Sequence, residues 1–211
     1  MEGSRLHILC FVQRRSRATV EQLSRHMGLA SATVRRHLDI LQRDHLVTFQ
    51  QVKKKTGRPQ YTYYLTEEGQ ESLPKGYNRL LGGLLQELSY LSRAEVRNRS
   101  GADLLQALFQ RMAQRTAVAA EQDPEHSFAE RVAKAVAVLE QEKYQPEVEQ
   151  LTDSVRIHLY NCPYRSVSLE NPSICTYDHA LLSAILGTSV RLEHCIRQED
   201  ECCCYVASIV A

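Results

Sequence analysis

Apolar residues fall at helical spacing through the first forty-five positions of the chain. Leu6, Leu9 and Val12 mark one face of a helix over residues 4–14. Thr19 followed by Gln22 is a capping pair that opens a short helix running to Met27, and Gly28 ends it. After the turn Gly28-Leu29-Ala30, Ser31 opens a third helix. Val34, Leu38, Leu41 and His45 form its inward stripe, with Arg35, Arg36, Gln42 and Arg43 off it. The period then shortens to two: Val47, Phe49 and Gln51 alternate with polar neighbours, and so do Tyr61, Tyr63 and Leu65. These strands flank KKKTGRPQ, where Gly57 and Pro59 mark the turn. Three helices followed by a basic hairpin predict a winged helix-turn-helix over residues 1–75.

The segment EEGQESLPKG reads as a linker. Beyond it, Leu80, Leu81, Leu84, Leu85, Leu88 and Leu91 make a stripe wide enough to pack on two sides, although Gly82-Gly83 lies within it. Two glycines cost about 2 kcal/mol of helix propensity, so this helix needs packing partners. Leu104, Leu105, Leu108, Phe109 and Met112 predict a second helix, and Phe128, Val132, Val136 and Leu139 a third. Residues 76–144 are therefore expected to be a helical dimerisation region. From about residue 145 the pattern is mixed. EVEQL, VRIHLYN, SVRLEHCI and CYVASIV read as strands and HALLSAILG as a helix, a small α+β domain over 145–211. The fold class expected is mixed α/β in three parts.

Charge sharpens the first part. The chain carries 26 Lys+Arg and 25 Asp+Glu, net +1, but residues 1–75 hold +6 and residues 76–211 hold −5. A basic first third suits a polyanion. A recognition helix needs short residues at its start and bidentate donors behind them. Ser31, Ala32 and Thr33 supply the first, and Arg35, Arg36 and His37 the second. Lys53, Lys54, Lys55 and Arg58 of the hairpin are placed to meet phosphates. The expected partner is double-stranded DNA, with two half-sites calling for a homodimer. No phosphate loop, catalytic carboxylate pair or nucleophile elbow is present, so an enzyme with a small-molecule substrate is not expected. No stretch has the roughly 20 apolar residues of a membrane span, and the first residues do not read as a signal peptide. A cytoplasmic protein is expected.

The cysteines are as uneven as the charge. Cys10 stands alone, whereas Cys162, Cys175, Cys195, Cys202, Cys203 and Cys204 fall late in the chain. In a reducing compartment such a group points to metal or redox chemistry. The spacing is neither a zinc-ribbon pair nor a ferredoxin run. It leaves an iron–sulfur cluster, a structural zinc, a disulfide switch and inert buried thiols as alternatives.

A winged helix with Gly57-Arg58-Pro59 in its wing, a helical middle and a late CPY…C…CxY pattern resembles the SufR family, bacterial repressors of iron–sulfur cluster assembly genes. NCPYRSVSLENPSIC is the most specific stretch and is closest to the cyanobacterial branch. The resemblance implies a [4Fe–4S] cluster on Cys162, Cys175 and Cys203, and a homodimer that holds a palindromic operator when loaded and releases it on cluster loss. Some relatives place a further cysteine four residues before CPY. Here that position is His158, which, spaced by four on a strand, points to the same face as Cys162 and is the expected fourth ligand, through nitrogen. Cys195, on a neighbouring strand, competes for the fourth position, and an external ligand is a further alternative. Cys202 and Cys204 face away from Cys203 in a regular strand, and His194 is a candidate for the surroundings of the site.

Overall fold

The computed structural model describes residues 3–52, 60–97, 99–120 and 126–209. Its contacts divide the chain into two units, Met1–Pro74 and Lys75–Ala211.

The first unit runs α1 (Gly3–Arg15), β1 (Ala18–Thr19), α2 (Val20–Met27), α3 (Ser31–Arg43), β2 (Val47–Val52), β3 (Gln60–Leu65) and α4 (Glu67–Ser72). Thr19 and Gln22 form a reciprocal capping box at the start of α2, and Gly28 ends it in the left-handed conformation, φ 64°. Ile8, Leu9 and Val12 of α1 meet Leu23 of α2, Val34, Leu38 and Leu41 of α3, and Val47 in one core. The strands make an antiparallel sheet of order β1-β3-β2, with Val47 opposite Leu65 and Val52 opposite Gln60. His45 does not join the inward stripe of α3. The helix ends before it, and His45 is exposed at φ 58° in the turn to β2. The segment read as a linker instead forms α4, because the Thr66 hydroxyl accepts the Gly69 N–H and caps it. Leu73 then returns to the core.

The second unit contains α5 (Tyr77–Ser89), α6 (Arg93–Val96), α7 (Gly101–Ala119), α8 (Phe128–Gln141), β4 (Pro146–Gln150), β5 (Ser154–Leu159), α9 (Arg165–Glu170), α10 (Cys175–Leu186), β6 (Val190–His194) and β7 (Cys203–Ser208). Single 3₁₀ turns lie at Pro172–Ile174 and Ile196–Gln198. Its antiparallel sheet has the order β4-β5-β7-β6. The expected boundary at 144/145 is not a boundary. Leu80, Phe109 and Ala113 of α5 and α7, Leu139 of α8, Leu181 and Ile185 of α10, and Val155, Ile157 and Tyr205 of the sheet share one core. A four-stranded sheet with one apolar face must cover it, and α8 and α10 do so, with α10 packing in turn on α7 and α8. Helix α5 survives its glycines through this packing: a side chain at Gly83 would meet the Met112 methyl at 2.4 Å. Among the described residues, no helix is long and apolar enough to cross a membrane.

Gly69 tests the first unit. A Cβ there would stand 2.0 Å from the Leu46 carbonyl oxygen, a backbone atom that cannot swing aside. Gly69→Ala is expected to destabilise the unit by about 2 kcal/mol or more, read as a lowered urea midpoint, whereas Gly82→Ala, which meets nothing within 4 Å, should not.

Candidate functional site

Helix α3 is held by its apolar stripe, Val34, Leu38 and Leu41, all fully buried. That fixes what faces outward. Ala32, Thr33, Arg35 and Arg36 are exposed, and Ser31 and His37 are half-buried. Ser31 Oγ stands 3.2 Å from Ser24 Oγ, linking the start of α3 to α2. The geometry is that of a recognition helix: short side chains at its first turn and two guanidiniums one turn on. Lys53, Lys54, Lys55 and Arg58, with Gly57 and Pro59, lie outside the described residues. The hairpin also exposes Phe49 and Tyr61, in edge-to-face contact at 5.0 Å. The register that places Phe49 opposite Tyr63 and Gln51 opposite Tyr61 puts both rings on one face.

In the second unit, four separate segments bring thiols to one buried pocket. Cys162 comes from the turn after β5, Cys175 from the first residue of α10, Cys195 from the residue after β6, and Cys203 from the first residue of β7. Tyr164, Ser168, Ile174, Asp178, Ile196 and Arg197 complete the lining. The pocket is closed to a volume of about 10 Å³, room for roughly one water. Burial governs its electrostatics. It pushes the Cys162 thiol up to about 11 and the Cys175 thiol up to about 12, in both cases with the Asp178 carboxylate adding to the rise. Cys195 and Cys203 differ because they share a hydrogen bond. Cys203 is held protonated as the donor, and Cys195 is drawn below the ordinary thiol range by that bond and by Arg197.

Asp178 is the functional group that sequence reasoning missed. It sits three residues after Cys175, one helical turn away on the same face. Burial raises its carboxyl to about 7, partly opposed by the hydrogen bond that the Tyr144 hydroxyl donates to it. The i, i+3 spacing was the available signal.

His158 is not brought to this pocket. Strand β5 alternates inward Val155, Ile157 and Leu159 with outward Arg156 and His158, and it ends at Leu159. Tyr160 and Asn161 then leave the strand, so the two-residue period never reaches Cys162. The His158 ring lies on the outer face of the sheet, with Nδ1 3.7 Å from Cys202 Sγ and Nε2 3.5 Å from a Glu149 carboxylate oxygen. Cys195 occupies the place offered to His158. Cys202 and Cys204 face away from Cys203. His194 is exposed beside Asp200, and Cys10 packs at the edge of the first unit's core. Among the described residues, no three His, Cys, Asp or Glu side chains are close enough together to hold a single metal ion.

Residues 2–48 match the family described as bacterial regulatory protein, arsR family. The matched stretch spans α1, α2 and α3 of the N-terminal unit, which is similar in sequence to the helix-turn-helix of those regulatory proteins. A transcriptional regulator homologue from Pyrococcus horikoshii OT3 is similar at 26% identity over 40% of this chain and 79% of that one, TM-score 0.29. PadR of Bacillus subtilis, solved with operator DNA, is similar at 16% identity over 66% of this chain and 90% of that one, TM-score 0.30. No curated protein matches the chain.

The raised Asp178 carboxyl predicts a pH dependence of stability. An unfolded aspartate titrates near 3.9, so between about pH 4 and about pH 7 the folded protein holds a proton that the unfolded chain has lost. The contribution of Asp178 is therefore most favourable below pH 4, falls as the pH rises to 7 and is flat above it. Asp178→Asn keeps an acceptor for Tyr144 without the charge. The difference in urea stability between wild type and Asp178→Asn, in reduced metal-free protein, should move in the variant's favour across that window. A pH-independent difference would contradict the assignment.

Proposed function

We propose that the chain is a homodimeric transcriptional repressor that occupies a palindromic operator of iron–sulfur cluster assembly genes while Cys162, Cys175, Cys195 and Cys203 hold a [4Fe–4S] cluster, and that it leaves the operator when the cluster is lost. The observation that carries this reading is the convergence of four thiols from four segments on one buried pocket. The donor set fits. Iron–sulfur clusters are held by four thiolates, and four thiols line this pocket. When bound, the cluster supplies iron–thiolate bonds that oxidation or iron shortage breaks. The thiols must be deprotonated to bind, and Cys195, already drawn down beside Arg197, is the sulfur prepared to lose its proton first.

The chain's own residues connect this pocket to the rest of the second unit. With only about 10 Å³ of space, its walls must part to receive a group of that size. One wall is the start of α10, which packs along α7, and α7 packs on α5. The other end of the pocket is the Cys162 turn. Its Cys162 carbonyl accepts from Lys75 Nζ at 3.2 Å and its Pro163 carbonyl from the Gly76 N–H at 3.0 Å. Residues 75 and 76 directly follow the winged helix in the chain. Helix α5 turns Leu80 inward but leaves Leu81, Leu85 and Leu88 47–58% exposed in an i, i+4, i+7 stripe. A second copy packing on that stripe pairs two recognition helices for two half-sites.

One observation favours a second reading, a regulator whose thiols sense oxidants directly: Cys195 and Cys203 line the same pocket, and Cys203 draws the Cys195 thiol below its ordinary range. The two readings separate when operator binding is measured without oxygen. Under the proposal, the loaded protein binds the operator tightly, and removing iron with a chelator, with the thiols kept reduced, weakens binding by about 5- to 150-fold. Unchanged affinity after iron removal would overturn it. Arg35→Ala and Arg36→Ala should each cost about 1–3 kcal/mol of operator affinity and reduce discrimination against a mutated half-site, read by fluorescence anisotropy. The double variant Leu81→Glu/Leu85→Glu should sediment as a monomer; a dimer unchanged in strength would place the interface elsewhere.

A further inference from the structure

A second cavity of the same unit, about 210 Å³, lies in the groove between α5 and α7. It has about twenty times the space of the thiol pocket but less than the roughly 300–1,000 Å³ of sites for drug-sized ligands, so it suits a small organic molecule. Its middle is apolar: Gly83 lets the Met112 methyl lie against α5. Its rim carries two guanidiniums from different helices, Arg79 of α5 and Arg115 of α7, with side chains 39% and 44% exposed. Behind each stands a carboxylate that orients it. Glu87, 2% exposed, gives Oε1 to Arg115 Nη2 at 2.6 Å and Oε2 to Arg111 Nε at 3.0 Å. Glu142 Oε2 meets Arg79 Nη2 at 2.6 Å and accepts the Tyr177 hydroxyl at 2.9 Å.

The acceptors and hydroxyls of the lining are thus engaged internally. The Tyr164 hydroxyl accepts from Arg79 Nη2 at 2.7 Å, and the Thr116 hydroxyl donates to the Met112 carbonyl at 3.1 Å. Among the described residues both rim guanidiniums make these polar contacts through Nη2, which leaves the Nη1 and Nε hydrogens, with the exposed Gln86 amide, to an acceptor from outside. Donors at both ends and an apolar middle define the ligand. We infer that this cavity binds a small aliphatic dicarboxylate of four to six carbons, one carboxylate on Arg79 and the other on Arg115. Charge-assisted bonds of this kind are the strong ones. Arg79 and Glu87, the holder of Arg115, are eight residues apart, about 12 Å of helix at 1.5 Å per residue. A five-carbon chain of about 5 Å with a hydrogen bond of about 3 Å at each end matches that length.

The cavity stays open in the proposed dimer. A helix turns 100° per residue, so Gly83, two residues from both Leu81 and Leu85, lies on the opposite side of α5 from the exposed leucine stripe. Tyr164 lines this cavity and the thiol pocket alike. Dicarboxylate and cluster therefore share a wall, and each changes the other's affinity; this coupling, unlike the site, rests on the proposed function.

Calorimetric titration of the reduced, full-length protein with glutarate tests both. Iron-free protein should bind one glutarate per chain. Pentanoate, of the same length with one carboxylate, should bind about 10-fold more weakly or worse. Arg79→Gln and Arg115→Gln should each weaken glutarate binding by about 10- to 100-fold, whereas Leu81→Glu/Leu85→Glu should leave it unchanged. If Arg79→Gln, which strips Glu142 of its partner, is unfolded by circular dichroism, Arg115→Gln decides, because Glu87 keeps Arg111. No binding of glutarate, succinate or adipate, or affinity unmoved by the arginine variants, overturns the site. Iron-loaded protein should differ from iron-free protein in glutarate affinity by about 5-fold or more; equal affinities overturn the coupling. Glutarate bound by a protein that takes up no iron would contradict the cluster reading and leave the site standing.

Discussion

The pleat of β7 is the constraint on which the rest depends. Side chains alternate along a strand, so three cysteines in a row cannot serve one centre. Pairing between β5 and β7 fixes the register: Ile157 opposite Tyr205 and Leu159 opposite Cys203 place Cys203 inward with the core, while His158 opposite Cys204 places both outward. A slip of one residue would exchange the faces, sending Tyr205 to solvent and two sulfurs into the core. The cost of exposing Tyr205 and Ala207, both fully or nearly buried, holds the register. The placement of the Cys203 sulfur in the pocket follows from it.

Desolvation then shapes the pocket. Four thiols, those of half-buried Cys162 and Cys175 and of buried Cys195 and Cys203, lie with a buried carboxyl, and burial makes the charged forms of Cys162, Cys175 and Asp178 costly. Burial holds Cys162 and Cys175 protonated, Cys203 keeps its proton as the donor to Cys195, and negative charge is confined to Cys195, drawn down by Cys203 and Arg197, and to Asp178, to which the Tyr144 hydroxyl donates. Under the proposed function, a positively charged metal core would reverse the balance by stabilising the thiolates that burial penalises. The pocket would then have two electrostatic states, and its walls belong to the segments that lead to α7 and α5 and to residues 75–76. Linkage requires that whatever favours one arrangement of these elements also be favoured by it. That is the physical content of a cluster-dependent repressor.

Elements governed by local rules were legible in the sequence. The Thr19–Gln22 box, the Gly28 stop and the inward stripe Val34, Leu38, Leu41 all stand where spacing placed them. The outward turn of Cys202 and Cys204 was also readable, because it needs only the period of a strand. What failed depended on where elements end. His158 was assigned to the face of Cys162 by carrying β5 three residues beyond its end, whereas the chain leaves the strand at Tyr160. The linker read at residues 67–76 is in part helix α4, capped by Thr66. The helix carrying Cys175 starts four residues earlier than its apolar text, HALL, suggests. Long-range partners were the least visible: nothing local in the sequence pairs Tyr144 with Asp178, or ties Gly76 to Pro163.

The central claim is that four cysteines, and no histidine, hold an iron–sulfur cluster. Its most direct test is the iron and acid-labile sulfide content, with the visible spectrum, of protein purified without oxygen, wild type beside single serine variants of Cys162, Cys175, Cys195 and Cys203. The account predicts a brown wild-type protein with about four iron and four sulfide per chain, and loss or marked weakening of colour in all four variants. A colourless wild type carrying a single zinc in the pocket, or full colour in Cys195→Ser, would contradict it.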